Sequence, residues 1–414
     1  MSRADALKRM WVLMVTTFVD MMGFAIIFPL LPYYAEKLGA SPLKIGALIS
    51  IFFVAQLITA PFWGRLSDRI GRRPVIFSGL LITAVAFLVF ELADSVWLLF
   101  AARFIQGAGG GKTGVLQAYV TDTSKREDRA EALGWLSAAT SAGVMIGPVI
   151  GSLASQSTIV RPGYIASTLC LVALAFAWRW LPESRGKATD AGDPFGQHPA
   201  KGAIWSITRE ILARPHRGIG SLVWIYAFGM MAFMAMNAIL VLYFERRFGI
   251  TEREIGWFFL YVATISLVMR ALLLGPLVRR FGEIWVLRAG TVCMVAGFLT
   301  IPLARSIWEL GLAALFIPAG TALLFPATTS LVSAKAGKEQ TGVVLGVHQG
   351  FGGVSRMTGP MWAGWMFQTL GIRTPFWAAG ALMAAVSLFA LTVVRNEPPP
   401  ESQEGPQIEP VPQA

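Results

Sequence analysis

Residues 64–74 read Gly64-Arg-Leu-Ser-Asp68-Arg69-Ile-Gly71-Arg72-Arg73-Pro74, and residues 275–282 read Gly275-Pro-Leu-Val-Arg-Arg-Phe-Gly282. The two stretches share glycine, leucine, arginine and glycine at matching positions. They do not stand alone. Ile45-Gly46 is answered by Ile255-Gly256, Phe104-Ile105 by Phe316-Ile317, and Gly147-Pro148 by Gly359-Pro360, always at an offset near 211 residues. Chance apolar similarity would not keep its register across loops, so the chain is one unit used twice.

The composition says what kind of unit. The 414 residues are 55% hydrophobic and 14% charged, with a mean hydropathy of +0.59, whereas an ordinary soluble domain carries about 25% charged residues. A bilayer core of about 30 Å takes about 20 apolar residues per helix. Twelve such runs are expected: 11–31, 45–63, 75–91, 96–120, 132–154, 164–181, 219–243, 255–274, 285–303, 308–332, 342–369 and 375–394. Trp11, Trp63, Trp97, Trp178, Trp285 and Trp308 stand near the ends of runs, where an interfacial belt places them. The first run follows Arg3, Lys8 and Arg9 but is too long for a signal peptide and contains Asp20, so it reads as a retained span.

The net charge of +11 is spread in short groups between runs, which reads as membrane orientation and not as a nucleic-acid stripe. Arg65, Arg69, Arg72, Arg73, Lys125, Arg126, Arg129 and the basic stretch 185–217 fall on one side. Far fewer, such as Lys37, Lys44 and Arg161, fall on the other. That asymmetry places both termini in the cytoplasm of a cell (inner or plasma) membrane protein. Residues 1–181 and 218–395 are expected to form six-helix bundles, joined by a polar, basic linker at 182–217, with a disordered tail at 396–414. Within the linker, 203–212 reads either as a short interfacial helix or as part of a disordered connection. Cys170 and Cys293 lie inside apolar runs and imply neither a disulfide frame nor a metal site.

The 64–74 loop resembles the signature between the second and third helices of the major facilitator superfamily. That resemblance implies an all-α membrane fold of twelve helices in two pseudo-symmetric six-helix bundles. It also implies a cytoplasmic conformational lock made by Gly64, Asp68, Gly71, Arg72 and Arg73, with Asp122 as the candidate partner. The second copy has Arg279 where the first has Asp68, so only the first half is equipped for it.

The fourth run carries Arg103-Phe-Ile-Gln106-Gly107-Ala-Gly109-Gly110-Gly111. An arginine this deep in a membrane helix should face a partner or a watery cavity. The segment is similar to the arginine and glycine signature of proton-coupled antiporters, implying a proton-coupling role; an interhelical clamp is the other reading. In the fifth run Gly143, Gly147 and Gly151 recur every fourth residue and line one helix face, a stripe for close packing. With Pro148 it resembles the antiporter motif of drug exporters. The eleventh run carries a stripe of its own at Gly342, Gly346 and Gly350.

Asp20 stands about nine residues, or about 14 Å, from the inner end of the first run. With Gly23, Pro29 and Pro32 it resembles the first helix of tetracycline-type exporters. A carboxyl at that depth binds protons more readily and exchanges them if water reaches it. A fixed ion pair with an arginine is the alternative. Arg103 is expected to bridge to Asp20 and tune it. Gln56, Lys112, Gln117, Asn237, His348, Gln349 and Arg356 are further polar groups inside the spans, read either as packing hydrogen bonds and snorkelling ends or as the lining of a substrate cavity; Arg270 also lies within a span. Lys112, where the family usually has a small or neutral residue, would tilt selection toward anionic or zwitterionic compounds.

Gly107–Thr113 only superficially resembles a phosphate-binding loop, because Gln106 stands where glycine is needed and no strand precedes it. No zinc signature or nucleophile and base cluster occurs, with only His198, His216 and His348 available. The sequence therefore reads as a secondary transporter, not an enzyme. No cofactor is implied, and a small molecule, protons and the lipid bilayer are its partners. A monomeric proton-coupled exporter of amphipathic drugs or metabolites leads; a carrier of sugars, organic acids or lipids on the same fold is the alternative.

Overall fold

The computed structural model describes residues 3–124, 128–156, 161–184 and 203–393. The tail expected at 396–414 and half of the linker, residues 185–202, lie outside these residues. Among them there are helices and no strands, as a bilayer demands of any chain that does not close a barrel.

The first half comprises α1 (Arg3–Ile27), α2 (Leu31–Lys37), α3 (Pro42–Ile70), α4 (Arg72–Glu91), α5 (Val96–Gly110), α6 (Thr113–Thr123), α7 (Arg129–Ala154) and α8 (Pro162–Trp180). A connecting helix, α9 (Ala203–Ala213), precedes the second half. That half comprises α10 (Gly218–Phe248), α11 (Ile255–Val268), α12 (Leu274–Phe281), α13 (Glu283–Thr300), α14 (Ile307–Ala314), α15 (Phe316–Lys335), α16 (Gly337–Thr369) and α17 (Thr374–Val393). Among the described residues, ten stretches are long and apolar enough to cross a membrane. The remaining two spans are α5 with α6, which the chain interrupts, and α16, whose polar side chains dilute its apolar run.

Breaks fall where the backbone is weakest. The first span stops after Ile27 and restarts at Leu31 beside Pro29 and Pro32, since proline removes a donor and crowds the preceding turn. The eighth span passes through a π turn at Met269–Leu273. Ser41, Ser95 and Ser306 cap helices by accepting from Lys44, Leu98 and Glu309 N–H groups, which satisfies donors that would otherwise be orphaned. The turns into α4 and α13 both pass through a left-handed glycine, Gly71 at φ 101° and Gly282 at φ 80°. The same turn is thus built twice, as the paired loops anticipate.

Packing repeats the two-fold pattern. Helix α1 packs on α7 and α8 as α10 does on α16 and α17; α4 packs on α5 and α8 as α13 does on α15 and α17. Between the halves, α3 meets α16 and α11 meets α7. In α7, a side chain at Gly143, Gly147 or Gly151 would strike the α1 backbone at Phe18, Met22 or Ile26. The stripe read in the sequence is therefore a close helix contact.

The eleventh-span stripe is not. Side chains at Gly342, Gly346 and Gly350 would meet nothing within 4 Å, and the close approach to α10 is made by Gly359 against Met231 and Ala235. Glycine spacing fixes a shared face, but it cannot say whether a neighbour stands there.

Among the described residues, the polar contacts between the halves gather at one end. At the end opposite the 64–74 loop, Tyr33 Oη donates to the Ile250 carbonyl at 2.8 Å, Lys37 pairs with Glu252 at 2.8 Å and Arg246 with Glu36 at 2.7 Å. Gly46 meets the Pro360 carbonyl, Gly256 meets the Pro148 carbonyl, and the Gly256 N–H donates to Ser152 Oγ at 2.8 Å. Toward the 64–74 loop, the open faces of Gly342, Gly346 and Gly350 look into a gap.

Overpacking a tight helix contact costs about 1–3 kcal/mol. Gly147→Leu should therefore lower the melting temperature in detergent by several degrees, while Gly346→Leu, which enters open space, should leave it unchanged; equal melting of the two would refute the assignment.

Candidate transport site

The fourth span is expected to be one helix from 96 to 120, but the structure interrupts it between Gly110 and Thr113. Interrupting a membrane helix frees carbonyls that must find partners. Helix α3 supplies them. Trp63 Nε1 donates to Ala108 O at 2.6 Å, Thr59 Oγ1 to the same carbonyl at 3.2 Å, and Gln56 Nε2 to Gly110 O at 3.3 Å. Gln56 is thus tied to this break.

Lys112 sits in the interruption and turns into the bundle. Its Nζ donates to Asp20 Oδ1 at 2.9 Å, Thr83 Oγ1 at 3.3 Å and Gly109 O at 3.4 Å. The side chains of Lys112 and Asp20 are 1% and 6% exposed. Gly79 makes room for the lysine stem, since a Cβ there would overlap its Cδ. Removing one partner of such a pair strands a charge and typically costs about 3–5 kcal/mol.

Two expectations change. Arg103 does not bridge to Asp20: it is fully buried, donates to Gln106 Oε1 at 2.6 Å and lies 4.9 Å from the Phe52 ring centre. Its Nη2 and the Gln106 Nε2 have no partner among the described residues. Lys112 is not a free cation offered to substrate, because Asp20 balances it. Asp20 and Lys112 are close because the span breaks, not because of any spacing along the chain.

The 64–74 loop forms a charged knot within the first half. Arg72 reaches Asp68 Oδ1 at 2.7 Å, Ser67 Oγ at 2.6 Å and Asp122 Oδ2 at 3.1 Å. Asp122 and Asp68 thus share Arg72 as a common partner. Glu183, which the sequence did not single out, accepts from the backbone N–H groups of Arg72 at 3.0 Å and Arg73 at 3.1 Å. It places an anion at the α4 N-terminus, where the helix dipole favours one. A Cβ on Gly71 would fall within 2.6 Å of this carboxylate. Arg73 donates to Trp178 O at 2.5 Å, while Gly64 has open space around it.

The second half gathers three of the expected residues. His348 is fully buried with its ring 4.0 Å from Tyr226, and Thr329 Oγ1 lies 3.5 Å from its Nε2. Tyr226 Oη donates to Gln349 Oε1 at 3.3 Å, and Arg356 Nη2 reaches the same two oxygens at 3.5 and 3.4 Å. Tyr226 was not flagged by the sequence, because a tyrosine in an apolar run looks like packing. Asn237 bonds back to Phe233 O at 2.8 Å within its own helix, Gln117 is exposed, and Arg270 lies exposed in the π turn. Among the described residues no cluster of three or more His, Cys, Asp or Glu is placed to hold a metal.

The sequence model for the Major Facilitator Superfamily matches residues 13–272 and 222–413. Multidrug resistance protein 2 of Bacillus subtilis (strain 168) is 29% identical over 396 residues, covering 93% of this chain and 94% of that protein. Tetracycline resistance protein, class B, of Escherichia coli is 24% identical over 369 residues, 86% of this chain and 90% of that one. The fold is similar to that of a bacterial homologue of the human lysosomal transporter Spinster, at TM-score 0.76 and 14% identity, covering 94% of this chain and 97% of that chain. A repeated six-span unit, the twice-built glycine turn and the family match along both halves agree: the chain belongs to the Major Facilitator Superfamily and is a multi-pass membrane transporter, not an enzyme.

Proposed function

We propose that this chain is a proton-coupled antiporter that exports small amphipathic compounds by alternating access. The single observation that carries the coupling is the Asp20–Lys112 pair, buried at 2.9 Å beside the break in the fourth span. The resemblance of the chain to multidrug and tetracycline resistance proteins supports export.

A proton arriving on Asp20 cancels the carboxylate charge that holds Lys112 and leaves the ammonium with only Thr83 and the Gly109 carbonyl as partners. The break at Gly110–Lys112 then loses its anchor on α1. Because α3 side chains hold the carbonyls of that break and α3 also meets α16 of the other half, a change there reaches the interface between bundles. Arg103 acts at a distance, holding Gln106 and the Phe24 and Phe52 rings in place.

With both termini in the cytoplasm of a cell membrane, the open end faces inward, ready to take substrate. In the opposite state the Asp68, Arg72, Arg73 and Asp122 knot would lie against the second half and close that end. Residues 1–181 and 218–395 are the rocking bodies, 182–217 connects them, and the protein works as a monomer.

In reconstituted vesicles, Asp20→Asn should cut substrate-driven proton movement by at least about tenfold. The double variant Asp20→Asn with Lys112→Met removes both buried charges and should restore folding without restoring coupling; proton movement preserved in a well-folded double variant would overturn the assignment.

A further inference from the structure

The spans are unevenly charged. Deep inside the apolar runs, the described residues hold one carboxylate, Asp20, against four cations, Lys112, Arg103, Arg270 and Arg356. Asp20 cancels Lys112, and Arg103 is sealed at 0% exposure. Arg356 is different. It is half-buried, and among the described residues no ion pair involves it.

Its position follows from helix geometry. At 100° per residue, Gly353 and Pro360 project toward α3, and Gly352 and Gly359 toward α10, where Gly352 abuts Tyr226. Gln349 and Arg356, seven residues apart, fall between those two directions, at the seam between the halves. Gly342, seven residues before Gln349 on the same strip, borders open space, so the seam is accessible from the parted end. Gln349 is itself exposed.

The guanidinium is underused. Both of its bonds come from Nη2, are long at 3.5 and 3.4 Å, and end on uncharged oxygens. Nε and Nη1 have no described partner, so N–H donors remain on either side of the weakly engaged Nη2, and a carboxylate or similar oxyanion can take them together with Nη2. Behind it stands an aromatic wall: Tyr226 packs edge-on against Phe325 at 5.5 Å, and Phe325 against Phe233 at 6.1 Å. The Nδ1 of buried His348, beneath Tyr226, has no partner among the described residues, which adds an unsatisfied polar atom in the same place. An unbalanced cation in a membrane interior costs several kcal/mol or recruits water and counter-ions, so the site favours a ligand that brings negative charge.

We propose that Arg356, Gln349 and Tyr226 form an anion-recognising subsite, and that the transported compounds are amphipathic aromatic molecules bearing a carboxylate or similar acid. This deepens the transport reading above and rests on it for the fate of the ligand, but not for its binding. The anionic group pairs with Arg356, the amide of Gln349 adds a donor, and the aromatic body lies along the Tyr226 and Phe325 wall. A permanent cation would meet only repulsion from the arginine.

Fluorescein and rhodamine 123 share a xanthene core but carry opposite charge, so binding of each to the full chain in detergent, read by fluorescence polarisation without any proton gradient, isolates the effect of charge. Fluorescein should bind the wild type about tenfold or more tightly than rhodamine 123. Arg356→Gln should weaken fluorescein by about tenfold or more while leaving rhodamine 123 unchanged or tighter. Arg356→Lys, which keeps the charge but not the fork, should fall between. Gln349→Leu is a second, milder variant should Arg356→Gln melt early. A wild type that prefers rhodamine 123, or an Arg356→Gln protein that holds fluorescein as before, overturns the proposal. Discriminating binding with no fluorescein movement in proton-loaded vesicles would instead sink the exporter reading and leave the subsite standing.

Discussion

A carboxylate in the middle of a bilayer is costly unless a cation answers it, and in this chain Lys112 answers Asp20. The rest of the first half is arranged around that requirement. For the lysine to arrive, the fourth span has to break; for the break to survive in an apolar setting, its carbonyls need donors; and α3 provides Gln56, Thr59 and Trp63. Gly79 is small because the lysine stem occupies the place of its side chain. One buried ion pair thus accounts for side chains on α1, α3 and α4 that have no obvious relation in sequence.

The second half repeats the scaffold but not the chemistry. It has the same glycine turn at Gly282 and the same order of helix neighbours, yet no carboxylate stands where Asp20 would lead one to look for it. Its polar residues gather instead on α10 and α16 around Tyr226. Duplication followed by divergence leaves one bundle carrying the group that can take a proton and the other carrying an unpaired arginine. Substitutions on the arginine side can then alter what is recognised without touching the acid.

Much of this was legible before any coordinates. Apolar runs and a repeat that holds register across loops fix the spans, because bilayer thickness and backbone satisfaction leave few alternatives. The depth of Asp20 follows from counting residues. Its partner does not, since Lys112 lies 92 positions away and becomes available only through an interruption that three glycines permit but do not dictate. Depth alone made Arg103 the natural candidate, and depth says nothing of azimuth. Glu183 is not legible in sequence because, two residues past the α8 C-cap Leu181, it reads as the start of a linker, whereas it caps α4. The stripe at Gly342, Gly346 and Gly350 was visible, but the space facing it belongs to the relation between bundles, which no local pattern encodes.

The reciprocal contacts at the closed end carry a mechanical meaning. Gly46 of one half rests on the Pro360 carbonyl of the other, and Gly256 rests on that of Pro148. Gly364 likewise rests on the Pro42 carbonyl, so all three contacts lie at the closed end and favour a tilt of the halves about it. Because none of these glycines carries a side chain to interlock, each point is a smooth fulcrum instead of a latch. Polar pairs farther out, such as Lys37 with Glu252, stand where a tilt about these fulcra would part them first.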